Sequence, residues 1–346
     1  MQTFSRRSFL RTATTAAAIA PVLAATRPAY AVPVNFGPAT TSSATTGSAT
    51  TGAATTGALA TASGSTAQFV GHKPGRIYIG LCGNGFDISS KTGPVGLRRT
   101  FYRWSDASRE DKAIAADHAA GRMPWISFKP PGDPAIYWKK IGDGLYDADI
   151  RARARRYAKL THPVVVTFNH EPHTDKTGDP AQFSRAWCRI HDVMKSETGL
   201  KNVISAPIAG EWTFSPINRR MEPEWWMTEA VLSRCHFMGL DLYHNKTGQT
   251  YATRLSNVLD WLDNRGHNNL MVGMGETGAT DDFTNISGAA WWSASWSYMA
   301  SRTDRLWAAS YFNRNDLAMN NWLLTQSSAK LTAFTATVRS SLATAL

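Results

Sequence analysis

Between Arg76 and Phe312, runs rich in β-branched and aromatic residues alternate with stretches of helical periodicity. Eight runs read as strands: RIYIGLCG (76–83), TFYRW (100–104), MPWISFK (123–129), PVVVTFN (163–169), NVISAPI (202–208), FMGLDLY (237–243), NLMVGMG (269–275) and LWAASYF (306–312). The segments between them carry apolar residues at helical spacing. Ile150, Ala154, Tyr157 and Ala158 form one such face, and Phe183, Trp187, Ile190 and Met194 another. Leu255, Val258, Leu259 and Leu262 form a third, and Trp292, Trp296 and Met299 a fourth. Eight β/α repeats in about 250 residues fit an α/β chain closed as a (β/α)8 (TIM) barrel.

A doubly wound open sheet is the rival architecture. It calls for a Gly-rich phosphate loop opening a helix, and GLCGNG (80–85) lacks that spacing and is followed by no clear helix. The missing first helix is also the one departure from ideal alternation. The chain is basic, at +11, but its densest cationic run, RARARR (151–156), alternates with Ala inside a helical pattern. It therefore reads as a solvated helix face, and nucleic acid is not expected as a partner.

The folded region is expected to span 69–346. Residues 1–31 carry a twin arginine (Arg6-Arg7), a mildly apolar Ala-rich stretch and a small-x-small site at Ala29-Tyr30-Ala31. They resemble a bacterial twin-arginine export signal, so the mature protein is expected outside the cytoplasm, secreted, with a periplasmic or cell-wall-associated location left open. No later run is long and apolar enough to span a membrane. Residues 32–68, dominated by ATTG-like units, cannot bury enough surface to fold and read as a disordered linker. Three cysteines, Cys82, Cys188 and Cys235, leave an odd thiol and room for one disulfide of unassigned pairing.

Barrel chemistry sits at the C-terminal strand ends. Glu171 ends the fourth strand in FNHEPHTD, and Glu276 ends the seventh in VGMGETG. Three strands apart in a ring of eight, they face each other across the mouth. Two carboxyls about 5–5.5 Å apart suit a retaining glycosidase, one protonating the leaving oxygen while the other attacks the anomeric carbon. Leu270, Val272, Met274 and Glu276 share parity, so Glu276 is expected to follow inward-facing apolar residues. Asp241 and Tyr243 share a face of the sixth strand.

These motifs, HE on the fourth strand, DLY on the sixth and GETG on the seventh, resemble clan A glycoside hydrolases, specifically glycoside hydrolase family 26. FYRW with GRMPWISFKPP, and GLDLYH, resemble its second, third and sixth strands. The resemblance covers about Arg76 to Phe312. It implies that Glu171 is the acid/base, Glu276 the nucleophile, Tyr243 a hydrogen-bond donor to the nucleophile, and His170 a sugar contact or a support for its neighbour. It implies a β-linked polysaccharide as substrate, with β-mannan as first guess. The short chain, the FNHEPH ending and the unclear first helix depart from the family and bear on the substrate. Xylan, mixed-linkage glucan and cell-wall glycan stay open, as do linkage and endo or exo action.

Aromatic and amide side chains near strand ends are the expected sugar contacts: Trp104, Trp212, Tyr311 and Asn313. Glu211, beside Trp212, is a competing carboxylate. His170 and His173 have i, i+3 spacing, but Pro172 opposes a helix and no third ligand is evident, so neither a metal nor another cofactor is expected. A non-catalytic carbohydrate-binding barrel would keep the aromatic platforms without a working carboxylate pair. An aldolase-like barrel would need a strand-end lysine, for which Lys129 is the nearest candidate. A monomer is expected.

Overall fold

The computed structural model describes residues 69–83, 88–175, 177–218, 221–316 and 320–346. The proposed signal and linker lie outside these. Strands β1 (Ile77–Cys82), β2 (Leu97–Tyr102), β3 (Met123–Phe128), β4 (Val164–Phe168) and β5 (Val203–Ser205) pair in parallel in chain order. So do β6 (Ile208–Gly210), β7 (Phe237–Tyr243), β8 (Met271–Gly278) and β9 (Leu306–Phe312), and β9 returns to β1. β5 and β6 are two halves of one barrel strand. Pro207, which has no N–H to give a ladder, separates them. The Ala206 N–H still donates to the Val166 carbonyl (3.0 Å), and the Pro207 carbonyl accepts from Gly239 N–H (2.8 Å), so the ring closes there. The fold is the expected (β/α)8 barrel.

Strands covered on both faces read as apolar runs, and VVVTF of β4 is buried throughout. Two packed layers result. Outside, Ile79, Ile126, Val166, Leu240 and Met274 pack against the helices. Inside, strand residues such as Leu97, Trp125, Val165, Ile208 and Trp307 fill the barrel, with Phe69 and Leu346 packed against them. A short C-terminal strand, Ala343–Thr344, pairs alongside β1.

The covering helices include Ala107–Ala119, Asp147–Ala158, Pro180–Thr198, Tyr251–Asp263 and Gly288–Ser301. The four expected apolar faces point to the core, with Ala158 and Trp296 only half-buried at the edges. Asp179 caps Pro180–Thr198 by accepting from Gln182 N–H, and Gly199, at φ 62°, ends it. Between β1 and β2 the described residues hold only one helical turn, Ser89–Thr92.

Two expectations need correction, and the cysteine pairing left open by the sequence is decided. RARARR is not wholly solvated: Arg153 is buried over the Phe128 ring (3.9 Å to its centroid) and pairs with Glu110 at 3.4 Å. None of the three cysteines forms a disulfide. β2 begins at Leu97, three residues before the expected Thr100, because its arginines are strand residues.

Candidate active site

At the C-terminal mouth, Glu276 is almost fully buried. One carboxylate oxygen accepts from Arg99 Nη1 at 2.9 Å, and the other accepts from the Tyr243 hydroxyl. Parity alone would not have put it there. Val272 and Met274 belong to the outer layer, whereas Met271 packs inside. The register with β7 slips between Leu240↔Met274 and Asp241↔Glu276, leaving Gly275 as an extra residue. That β-bulge turns Glu276 inward. The expectation that Glu276 follows inward-facing Val272 and Met274 is therefore wrong in its reasoning, although the side chain does reach the interior.

Arg99 organises this end of the barrel. It has no solvent exposure, donates to Asp241 Oδ1 (3.2 Å) as well as Glu276, and sits near Ser127 Oγ (3.3 Å) and the Phe101 ring (4.8 Å). Burial by itself would lower the guanidinium pKa. The carboxylates of Asp241 and Glu276 outweigh it and raise the value above that of an ordinary arginine. Asp241 and Tyr243 share the inward face of β7, as expected. Tyr243 in turn packs on Trp322 (4.9 Å) and Phe312 (5.8 Å), in a wall that includes Cys82.

Glu171 lies three barrel strands away and is half-buried. Its backbone has φ 49°, and that of Asn169 φ 45°; both are left-handed conformations that cost a non-glycine residue about 1 kcal/mol or more. The turn is tied down at several points. Glu171 N–H donates to Ile208 O (2.9 Å), Thr174 Oγ1 donates to Glu171 O (2.7 Å), and Asn169 Nδ2 donates to Asp175 Oδ2 (2.7 Å). His170 packs against Phe101, 5.2 Å between centroids, beside Arg99. Lys129, which continues the inward face of β3, approaches the same turn from the neighbouring strand.

The other expected contacts divide. Trp212 is exposed and meets the His173 ring edge-on at 5.1 Å. Tyr311 is not a platform: it is fully buried in the outer layer against Trp292 and Phe334, with its hydroxyl on Ala279 O. Asn313 is also buried, and its Oδ1 accepts from Leu324 N–H, tying the loop. Trp104 turns to the helical side, where Nε1 donates to Asp149 (2.9 Å) and the ring lines a cavity of about 290 Å³ with Arg153 and Met194. Glu211 is buried in an ion pair with Arg254, which also donates to the Tyr243 carbonyl.

No protein-family profile matches the chain, and no curated protein sequence does. Solved structures do match. The catalytic domain of the family 26 endo-β-1,4-mannanase of Bacillus sp. JAMB-750 aligns with a TM-score of 0.58 at 14% identity, over 78% of this chain and 88% of that one. A modular endo-β-1,4-mannanase from Cellulomonas fimi gives 0.56 at 14% identity, over 78% and 72%. XacCel5A gives 0.58 at 10% identity, over 76% and 99%. The chain shares their fold.

Arg99, and a role for Asp241, were not apparent from the sequence motifs. The signal existed: Leu97, Arg99 and Phe101 share parity, and an arginine at an inward barrel position requires a buried carboxylate. A strand counted from Thr100 leaves Arg99 outside it.

Proposed function

We propose that the protein is a retaining glycoside hydrolase of a β-linked polysaccharide, with β-mannan the first substrate to try. The observation that carries this reading is the Glu276 carboxylate, fixed between Arg99 and Tyr243 at the C-terminal mouth of the barrel, the end at which the Glu171 turn follows β4. In the proposed cycle Glu171 gives its proton to the leaving oxygen as Glu276 attacks the anomeric carbon. The glycosidic C–O bond breaks and a glycosyl ester forms on Glu276. Water, deprotonated by Glu171, then attacks that carbon and frees Glu276. His170 and Trp212 are the sugar contacts retained in this reading. Its wider part is export of a monomer through the twin-arginine signal of residues 1–31. The fold shared with mannanases and with XacCel5A supports the reaction class, and the motif resemblance supports mannan.

Reducing-sugar release from mannan, xylan, β-glucan and arabinan, run beside Glu276→Gln and Glu171→Gln, tests the reading. Release from one polymer, reduced at least ~10³-fold in both variants, is the expected result. Binding of a polymer with no release, unchanged in both variants, would replace it with a carbohydrate-binding barrel.

A further inference from the structure

Lys129 belongs to none of the groups above. It follows Trp125 and Ser127 on the inward face of β3, and its N–H is fixed by the Tyr102 carbonyl at 3.1 Å. Its ammonium reaches the turn that carries Glu171, with Nζ 3.5 Å from the His170 carbonyl and 3.7 Å from Asp175 Oδ2. Asp175 is itself buried and bound to Asn169. Lys129, Asp175 and Asn169 thus form a brace across the two left-handed residues of the turn. The charged groups facing Lys129 are Asp175, Glu171 and Arg99. Burial lowers the lysine pKa; Asp175 and Glu171 oppose that, and Arg99 adds to it.

We propose that Lys129 is a positioning residue for Glu171: through Asp175 and the His170 carbonyl it fixes the turn, and it sets a positive charge beside the Glu171 carboxyl. This rests on the acid/base reading of Glu171. A neighbouring cation favours the carboxylate form, so Lys129 moderates the proton affinity that catalysis draws on. The group that holds Glu276, Arg99, belongs to a different strand.

The test is a ¹³C NMR titration of the Glu171 carboxyl in the wild type, Lys129→Met, Lys129→Gln and Lys129→Arg, with Glu171→Gln used to assign the signal. Loss of the charge in the Met and Gln variants is expected to raise the Glu171 pKa, and Arg is expected to restore it. On any polymer that the enzyme cleaves, the alkaline limb of kcat/KM moves up by the same amount in the neutral variants. The acidic limb, set by Glu276, stays in place. An unmoved Glu171 titration in both folded neutral variants overturns the proposal, whether or not the protein is active. Full activity in Glu171→Gln would instead overturn the acid/base reading, and the titration reports on Lys129 independently of it.

Discussion

Arg99 carries its charge to a place without solvent, and two carboxylates make that tolerable. A buried guanidinium needs anionic partners, and Asp241 and Glu276 need a cation for the same reason. Replacing Arg99 with Met would leave two carboxylates together in the barrel. The expected loss is about 3–5 kcal/mol of stability, read by urea unfolding, with activity abolished. Lys restores the charge but not the planar guanidinium, whose Nη1 serves both carboxylates while Nε and Nη2 face Ser127, so Arg99→Lys is expected to regain stability more than turnover. A variant with Met at 99 as stable as the wild type would remove Arg99 from this account. At this scale the sequence was legible where identity carries chemistry: Glu276 and Tyr243 meet at the mouth, and Glu171 sits in the turn after β4 at the same end. It misled where only the type of side chain was used. Tyr311 looked like a platform, yet its parity sends it into the outer layer.

At the scale of the element, the bulge in β8 decides whether the barrel can work. Without the extra residue, Glu276 would face the helices with Val272 and Met274. Gly275 absorbs the slip because nothing larger fits. A Cβ there would lie 2.8 Å from Ile208 Cδ1, 2.9 Å from Asp241 Oδ1 and 3.1 Å from Arg99 Nη1. Gly275→Ala is therefore expected to cost about 1–3 kcal/mol by overpacking and, by displacing Arg99 from Glu276, to lower kcat at least ~10-fold. Thermal unfolding and initial rates separate the two effects. Wild-type rates in a destabilised variant would show that the Arg99 contact is not needed for turnover. The bulge was not legible in an alternating pattern, because it depends on the register of a neighbouring strand, whereas Pro207 inside NVISAPI marked its interruption in the sequence itself.

At the scale of the whole molecule, one buried group should shape the dependence of stability on pH. Lys330, in the last helix (Ser328–Val338), is fully buried and donates to the carbonyl of Ala279, just past the end of β8. Burial lowers its pKa to about 8, against the pull of Asp281 and Asp282. The unfolded chain has the ordinary lysine value, so between the two pKa values it binds more protons than the folded state. The contribution of Lys330 to stability is then expected to rise as pH increases from about 8 to 10.5, by up to about 3 kcal/mol, against the opposite effect of the buried Cys235 thiol. Lys330→Met should flatten that rise. Chemical denaturation at stepped pH reads it, and an equal slope in both proteins would assign the rise to other groups.

The sequence by itself determined the kind of fold and the chemical parts. Apolar runs alternating with helical faces leave few ways to bury both sides of every strand, and a glutamate at a strand end can be named from its neighbours. Tertiary structure alone decided which side chains meet. A one-residue slip in β8 reverses inside and outside, and the buried carboxylate partners of Arg99 come from strands more than a hundred residues away in the chain. Local pattern records what a residue can do. Only closure of the barrel supplies the partner charge, and the exclusion of water that gives that charge its strength.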